Sequence, residues 1–166
     1  MKSNQKKPPL AYLSGAIEGA PDNGREWRQR VKRFLEAELG HRIFDPTENS
    51  IALLTHEEFK NFRQWKVTEP EKFFPVIHRI IDHDLHILTE ATSYVVCYWD
   101  KHVCRGAGTA AEISIAYFMK IPVYFIPAIP LEEISSWAVG CSSEIFPSFR
   151  RFYTFMRRTY PALCSR

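Results

Sequence analysis

Short apolar runs alternate along the chain with longer amphipathic stretches. The apolar runs are too short for helices, and a run that is apolar throughout is typical of a parallel strand buried on both faces. We predict four strands, at residues 10–14, 42–44, 93–99 and 121–126. Their alternation with helical stretches favours a doubly wound α/β sheet with strand order 2-1-3-4 and helices on both faces. A short fifth strand would extend this sheet, but no segment of the sequence identifies it.

The stretches between the strands carry apolar residues at helical spacing. In the first stretch they recur at i, i+4, i+7 and i+8, at Trp27, Val31, Phe34 and Leu35. Asn23 and Glu26 have the spacing of a capping box at the start of this helix, and Gly40 lies where it should end. Further helices are predicted at residues 76–90, 109–120 and 147–158.

Two segments fall outside this alternation. We predict that residues 1–9 form a flexible tail and that residues 10–166 form a single domain, because a chain of this length suits one domain. Residues 47–75 are rich in aromatic and charged side chains and show no regular period. A long connection of this kind either forms a lid or binding loop or packs against the core, and the sequence leaves both interpretations open.

Composition narrows the class of protein. Hydrophobic residues make up 45% of the 166 residues, too many for a disordered chain, and no apolar run approaches the ~20 residues that cross a bilayer. The net charge of +3, from 22 basic and 19 acidic residues, is too balanced to indicate a nucleic-acid partner. The first ten residues lack the apolar core of a secretory signal. The four cysteines show no C-x-x-C spacing and are predicted to be free thiols, so we expect a cytoplasmic protein.

Candidate binding residues lie where the predicted strands end, because doubly wound sheets bind ligands beyond the carboxyl ends of their strands. Ser14 and Gly15 end the first strand, and Asp45 and Asp100 follow the second and third. After Asp100 comes Gly106-Ala-Gly-Thr-Ala-Ala-Glu112, a loop of small residues that leads into a helix and favours a bound anion. The loop matches neither the Walker pattern nor G-x-G-x-x-G, so a nucleoside triphosphate or dinucleotide site is disfavoured.

Two carboxylates carry the predicted chemistry. Glu112 is expected in the first turn of its helix, where the helix dipole favours its ionised form. Asp84 lies on the apolar face of its predicted helix, and a buried carboxylate needs a partner or a raised pKa. Two or three carboxylates around one crevice suit reactions at an anomeric carbon. One of them attacks or stabilises an oxocarbenium-like centre, and another protonates or orients the leaving group. The alternatives are a helix-capping role for Glu112 and a structural hydrogen bond for Asp84.

Three other features favour structural interpretations. Asp82-His-Asp-Leu-His86 resembles a metal site in composition, but its histidines are spaced i, i+3 rather than i, i+4, and we predict no metal or other cofactor. Cys104 has no evident base to activate it as a nucleophile. Residues 149–158 mix aromatic and basic side chains at helical spacing, which predicts a helix that packs on the core or on a partner subunit. Phosphate or nucleic-acid binding by its arginines is the lesser alternative.

Six segments of the chain occur in the order found in the nucleoside 2-deoxyribosyltransferase family, and over residues 10–127 the chain resembles that family. The segments are Ala11-Tyr-Leu-Ser-Gly-Ala16, Glu26-Trp-Arg28, Phe44-Asp-Pro46, the helix with Asp84, Tyr94-Val-Val-Cys-Tyr-Trp-Asp100 and Gly108-Thr-Ala-Ala-Glu-Ile113. The resemblance implies a flavodoxin-like fold, cleavage of the N-glycosidic bond of nucleosides or nucleotides, and assembly as a homo-oligomer.

The resemblance also implies a role for individual residues. Glu112 would be the nucleophile that forms a glycosyl-enzyme intermediate, Tyr12 would hydrogen-bond to it, and Asp84 would be the general acid near the departing base. The loop from Gly106 to Thr109 would contact the sugar or a 5′-phosphate, with Ser14 and Gly15 opposite. The substrate-binding residues are predicted to be Ser14, Gly15, Asp45, Asp100, Gly106, Gly108 and Thr109.

One departure from the family bears on the substrate. The family's transferases commonly carry acidic residues just before the G-[ST]-x-x-E segment, where this chain has Gly106 and Ala107. In this respect the chain looks more like relatives that hydrolyse nucleoside 5′-monophosphates. The Gly-x-Gly-Thr-x-x-Glu pattern also resembles the cytokinin-activating phosphoribohydrolases, which break the same kind of bond. The hypotheses without catalysis are a nucleotide-sensing module with the same crevice and a purely structural oligomerising domain. The base, the sugar and the choice between hydrolysis and transfer stay open.

Overall fold

The computed structural model describes residues 7–160 and contains a five-stranded parallel sheet with strand order β2-β1-β3-β4-β5. The strands are β1 (Leu10–Gly15), β2 (Arg42–Phe44), β3 (Tyr94–Trp99), β4 (Val123–Pro127) and β5 (Glu144–Ile145). The predicted order is confirmed, and the fifth strand is the two-residue β5 beside β4. Its brevity explains why no apolar run marks it.

Residues 7–160 contain seven α-helices, six between the strands and one after the last strand. They are α1 (Arg25–Leu39), α2 (Pro46–Asn49), α3 (His56–Thr68), α4 (Pro70–Glu90), α5 (Gly108–Phe118), α6 (Ser136–Gly140) and α7 (Phe149–Thr159). Three-residue 3₁₀ turns occur at Ile51–Leu53, Val103–Arg105 and Leu131–Glu133. The strands and helices predicted from the sequence are present, with ends shifted by at most six residues.

Side chains alternate between the two faces of the sheet, as the twofold period of a strand requires. In β1, Leu10 and Tyr12 pack with α4, α5 and α6, whereas Ala11 and Leu13 pack with α1 and α7. Each face therefore has its own buried core, and the prediction of helices on both faces is confirmed. The alternation also assigns Ser14 to the face of Tyr12, under α5.

The start of α1 differs from the predicted capping box. Asp22, not Asn23, caps the helix: its carboxylate accepts hydrogen bonds from the backbone N–H groups of Gly24 at 2.9 Å and Glu26 at 2.7 Å. Asn23 and Gly24 both have positive φ angles, 54° and 70°, in the turn that precedes the helix. Gly40 ends α1 with a φ of 66°, as predicted.

The prediction of an irregular connection at residues 47–75 is wrong, because most of these residues are helical. Thr55 and Glu58 form a capping box at the start of α3, and Pro70 occupies the first position of α4. The helix α4 therefore begins six residues earlier than predicted and contains Pro75. The irregular pattern has a physical cause, since α3 buries only Trp65 and has no broad apolar face for a sequence period to show.

Other predictions concern the two ends of the chain, its cysteines and membrane-spanning helices. Residues 1–6 and Cys164 lie outside the described residues, while residues 7–9 form neither helix nor strand. Cys97 and Cys141 are buried free thiols, and Cys104 is an exposed one. None of the helices between residues 7 and 160 is long and apolar enough to span a membrane.

Candidate active site

A cavity of about 580 Å³ opens beyond the carboxyl ends of β1 and β3, where the connections leave the sheet in opposite directions. Its size is typical of small-molecule sites. Six of the residues predicted for the site line it, namely Gly15, Asp84, Gly106, Gly108, Thr109 and Glu112. The helices α3 and α4 close the far side with an apolar wall that includes Phe59, Phe62 and Ile80.

Two hydroxyl groups of β1 hold the carboxylate of Glu112 from the side of the sheet. The Tyr12 hydroxyl donates to Glu112 Oε1 at 2.7 Å, and the Ser14 hydroxyl donates to Glu112 Oε2. Both donors are fully buried, whereas Glu112 itself lines the cavity. The structure thus contains the expected contact between Tyr12 and Glu112. It also shows a second donor, Ser14, where we expected a substrate contact.

Burial raises the pKa of Glu112 to about 6, because a charged carboxylate is poorly solvated at this position. The hydrogen bonds from Ser14 and Tyr12 act in the opposite direction, and so does the positive charge of Arg28. The pKa of Tyr12 is raised, first by its burial and then by the charge of Glu112, so its hydroxyl keeps its proton and stays a donor. Glu112 is therefore mostly ionised at neutral pH.

The reason for this ionisation differs from the expected one. Glu112 is the fifth residue of α5, beyond the first turn in which a helix dipole acts on a side chain most strongly. Its ionised form instead depends on the two hydroxyl donors from β1 and on the nearby guanidinium group. Placement in the first turn was wrong because α5 begins at Gly108, one residue before the predicted start.

Asp84 lies on α4 in the cavity wall, and its side chain is only 13% exposed. Its Oδ1 accepts a hydrogen bond from the Ser50 hydroxyl at 2.8 Å and lies 3.4 Å from Nδ1 of His83. Burial raises the pKa of Asp84, while the contacts with Ser50 and His83 oppose this rise. A carboxyl group with a raised pKa in a cavity can hold a proton and donate it.

Arg28 supports the cavity wall and was not among the predicted site residues. Its guanidinium group is fully buried and donates to the carbonyl groups of Gly15 at 2.8 Å, Ala16 at 3.1 Å and Gly24 at 2.8 Å. These bonds fix the connection between β1 and α1. In the sequence, Arg28 looks like one of several charged residues on an exposed helix face, so no local signal marks it as buried.

Asp45 and Asp100 do not line the cavity. Asp45 is buried behind its wall, where Oδ1 lies 3.5 Å from Nε of Arg28 and accepts hydrogen bonds from the backbone N–H and the hydroxyl of Thr47. Asp100 Oδ1 accepts from the backbone N–H groups of His102 and Val103. Both carboxylates therefore order the connections that leave the strands, which is a different position from the substrate contact predicted for them.

The amino terminus of α5 faces the cavity with the small residues Gly106, Ala107 and Gly108. No side chain caps the helix at Ala107, so its first N–H groups are available to a ligand. Arg25, Arg63 and His102 line the same cavity. Free helix N–H groups and basic side chains together form surroundings that suit an anion.

The histidine-rich segment of α4 does not form a metal site. Asp82 and His86 are exposed, and the ring of His83 lies 5.5 Å from that of Phe44. Between residues 7 and 160, no group of three or more His, Cys, Asp or Glu side chains is arranged to hold a metal ion.

Two solved structures share this architecture. A 2-deoxyribosyltransferase from the psychrotolerant bacterium Bacillus psychrosaccharolyticus has a TM-score of 0.64 and 16% identity, with 92% of this chain and 96% of that chain covered. The fold of this chain is similar to that of this 2-deoxyribosyltransferase. A conserved protein from Enterococcus faecalis V583 has a TM-score of 0.61 and 16% identity, with 92% of this chain and 99% of that one covered.

The comparisons confirm the predicted flavodoxin-like fold and its likeness to a 2-deoxyribosyltransferase structure. No protein-family model matches the chain, and no curated protein matches it in sequence. At 16% identity the likeness to the 2-deoxyribosyltransferase concerns the fold alone.

Proposed function

We propose that the chain cleaves the N-glycosidic bond of a (deoxy)nucleoside or nucleoside 5′-monophosphate, with Glu112 as the nucleophile. One observation carries the proposal: a carboxylate held by two buried hydroxyl donors faces a cavity that also contains a second carboxyl group, Asp84. Glycoside cleavage commonly uses such a pair, one group attacking and the other donating a proton. The 2-deoxyribosyltransferase fold is consistent with this reaction.

In the first step an oxygen of Glu112 attacks C1′ of the sugar. A bond forms between that oxygen and C1′, the bond between C1′ and the base nitrogen breaks, and its electron pair leaves with the base. The leaving base takes a proton from Asp84, a carboxyl group whose pKa is raised by burial. The raised pKa of Glu112, about 6, still leaves it ionised for the attack at neutral pH.

In the second step the sugar leaves Glu112. Water or a second base attacks C1′, Asp84 accepts the proton from the attacking group, and the carboxylate is restored. With water the chain is a hydrolase, and with a base it is a transferase. The two carboxyl groups supply the nucleophile and the acid, so the proposed reaction calls for no metal or organic cofactor.

The cavity is divided into regions that suit the parts of a nucleotide. The apolar side chains of α3 and α4, among them Phe59 and Phe62, suit the flat face of a base near Asp84. The amino terminus of α5, with Arg25 and Arg63, suits a 5′-phosphate. We therefore propose that monophosphates are better substrates than free nucleosides.

Assembly and location remain predictions. Phe118 and Trp137 are 79% and 73% exposed on α5 and α6, and such aromatic exposure is consistent with the homo-oligomer implied by the family resemblance. The cytoplasmic location is supported by the free thiols at Cys97, Cys104 and Cys141.

The test is a panel of nucleosides and 5′-monophosphates incubated with and without an acceptor base, with free base and new nucleoside separated by chromatography. Base release without acceptor indicates a hydrolase, and product formation only with acceptor indicates a transferase. Glu112→Gln should abolish both activities, while Glu90→Gln, at an exposed position of α4, should retain them. Tight binding without turnover would favour the nucleotide-sensing module and contradict the proposed reaction.

A further inference from the structure

We propose that Ser14 is a positioning residue of this reaction, which together with Tyr12 fixes the plane of the Glu112 carboxylate. The inference rests on the proposed function for its consequence in catalysis, but its geometric part concerns Glu112 alone. Ser14 is the last residue but one of β1 and is fully buried. It is not one of the residues that line the cavity.

The strand provides the two donors through its own periodicity. Residues 12 and 14 are two apart, so their side chains leave β1 on the same face, toward α5. Tyr12 has the longer side chain and reaches Oε1, while Ser14, one strand step nearer the cavity, reaches Oε2. Each carboxylate oxygen of Glu112 therefore has its own donor.

Two donors do what one cannot. The last torsion of a glutamate side chain is broad, so a carboxylate held at a single oxygen still rotates about its final bond. A second hydrogen bond at the other oxygen stops this rotation and fixes the direction of the lone pair that attacks C1′. Small errors in the direction of attack lower the rate strongly, which makes this restraint useful for catalysis.

The same bonds remain useful after the attack. One oxygen of Glu112 becomes bonded to C1′ and the other becomes the carbonyl oxygen of the glycosyl ester. That carbonyl oxygen still accepts a hydrogen bond from its β1 hydroxyl. When the second step breaks the ester, the returning negative charge spreads over both oxygens, and both donors stabilise it.

The charged and titratable groups around Glu112 come from four elements. Tyr12 lies on β1, Cys97 on β3, Asp84 on α4 and Arg28 on α1. Burial raises the pKa of Cys97 well above its usual value, so the thiol is neutral, and Tyr12 is neutral as well. Asp84, in its ionised form, raises the pKa of Glu112, and the positive charge of Arg28 lowers it. Removal of the Ser14 hydroxyl should therefore raise the pKa of Glu112 further above 6.

The experiment compares Ser14→Ala with the wild type by two readouts. The first is a ¹³C NMR titration of the Glu112 side-chain carboxyl carbon, assigned with the Glu112→Gln variant, which requires no turnover. The second is the pH profile of kcat/KM for base release. We expect the titration and the acidic limb of the profile to move to higher pH. We also expect kcat at neutral pH to fall roughly tenfold to a hundredfold, with KM changed much less.

Three further variants separate positioning from simple folding effects. Ser114→Ala removes a hydroxyl from α5 that bonds to the carbonyl of Ala110 and not to Glu112, and it should leave both readouts unchanged. Ser14→Thr keeps the hydroxyl and should restore the titration. Ser14→Cys keeps a weaker donor of similar shape and should give an intermediate shift, even if Ser14→Ala folds poorly.

The outcomes distinguish this inference from the proposed function. An unchanged Glu112 titration in Ser14→Ala and Ser14→Cys would overturn the positioning role, whatever the enzyme does. A shifted titration with an unchanged kcat/KM profile would overturn the role in the reaction. Absence of turnover in the wild type across the substrate panel would contradict the proposed function, while the NMR titration would still decide whether Ser14 holds the carboxylate.

Discussion

Glu112 occupies a position that suits its proposed reaction and costs stability. Its pKa of about 6 lies above the ordinary value of 4.5, which means that the folded protein holds the carboxylate less readily than water does. The hydroxyl groups of Tyr12 and Ser14 reduce this cost without removing it. Residues kept for chemistry often carry such a cost, and it is measurable.

The first prediction concerns the stability of Glu112→Gln. Because the folded state binds the proton more tightly than the unfolded state, the wild type loses stability as the pH rises from about 4.5 to about 6. Glutamine does not titrate, so the variant lacks this loss. In urea unfolding, the free energy of unfolding of the variant minus that of the wild type should increase by about 2 kcal/mol between about pH 4 and pH 7.

Glu90→Gln is the control for this measurement, because it makes the same substitution at an exposed side chain of α4. A constant difference between Glu112→Gln and the wild type across this pH range would show that the carboxylate is not destabilised by burial.

The second prediction concerns Asp84 as the proton donor. Asp84→Asn keeps an oxygen that can accept the Ser50 hydrogen bond but has no acidic proton to give. The rate of base release should fall about 10²–10⁴-fold, and the alkaline limb of the kcat/KM profile should disappear. The acidic limb, near pH 6, should remain because it reports Glu112.

A substrate with a good leaving group, such as a nitrophenyl deoxyriboside, provides the comparison for Asp84→Asn. Such a group leaves without protonation, so the variant should lose much less activity on it than on a nucleoside. Equal losses on both substrates would argue against proton donation by Asp84.

The residues differ in how far the sequence alone reveals them. Asp84 stands out because a carboxylate on an apolar helix face conflicts with its neighbours, and that conflict is visible in the sequence. Glu112 is found through the position of its loop after β3. The contacts of Ser14 and Arg28 are not predicted, because a serine near a strand end and an arginine in a charged helix look ordinary until the distances to Glu112 and Gly15 are known.

At the scale of elements, the connection between β1 and α1 is built around one buried side chain. The guanidinium group of Arg28 donates hydrogen bonds to three backbone carbonyl groups. Gly24, with a φ of +70°, packs against this group. A Cβ atom at Gly24 would lie 2.2 Å from the carbonyl oxygen of Ala16 and 2.3 Å from Nη1 of Arg28. This connection forms part of the cavity wall and tolerates no side chain at that point.

The third prediction compares two glycines of similar backbone conformation. Gly24→Ala should lower the free energy of unfolding by about 2–5 kcal/mol, because the conformational cost and the collision with Arg28 act together. Gly40→Ala, where φ is +66° and no atom lies within 4 Å of the added Cβ, should cost only about 1–2 kcal/mol. Urea unfolding of both variants measures the difference. Equal costs would mean that the connection moves to accommodate the methyl group.

Helices differ in how clearly the sequence shows them. The helix α1 buries Trp27, Val31 and Leu35 in the core, so its period is plain and its end at Gly40 is predicted correctly. The helix α3 lies over the cavity with one buried residue, and its start depends on the capping box at Thr55 and Glu58 rather than on an apolar face. Elements that enclose a site bury little of themselves in the core, which weakens the pattern from which they could be predicted.

At the scale of the whole molecule, the cavity lies where the chain reverses its direction across the sheet. From β1 the connections lead to β2 on one side, and from β3 they lead to β4 and β5 on the other. The strand order was predictable because the apolar runs and crossover lengths allow few arrangements. The apolar wall made by α3 and α4 was not, because it depends on how two helices pack together over the sheet.

The fourth prediction concerns the substrate's phosphate. A nucleoside 5′-monophosphate should raise the melting temperature of Glu112→Gln, which binds without turnover, more than the matching nucleoside does. Arg63→Ala and Arg25→Ala should each weaken monophosphate binding about tenfold, because each removes a charged partner of the phosphate. Binding of the free nucleoside should change little in both variants. Equal weakening for both ligands would place the phosphate elsewhere.

The two edges of the sheet limit how copies of the chain can associate. The edge strands β2 and β5 contain only three and two residues, so each edge offers few free backbone groups with which another strand could pair. Short edge strands of this kind disfavour edge-to-edge pairing between the sheets of two copies. Any assembly of this protein is therefore left to the surfaces of its helices, where Phe118 and Trp137 protrude.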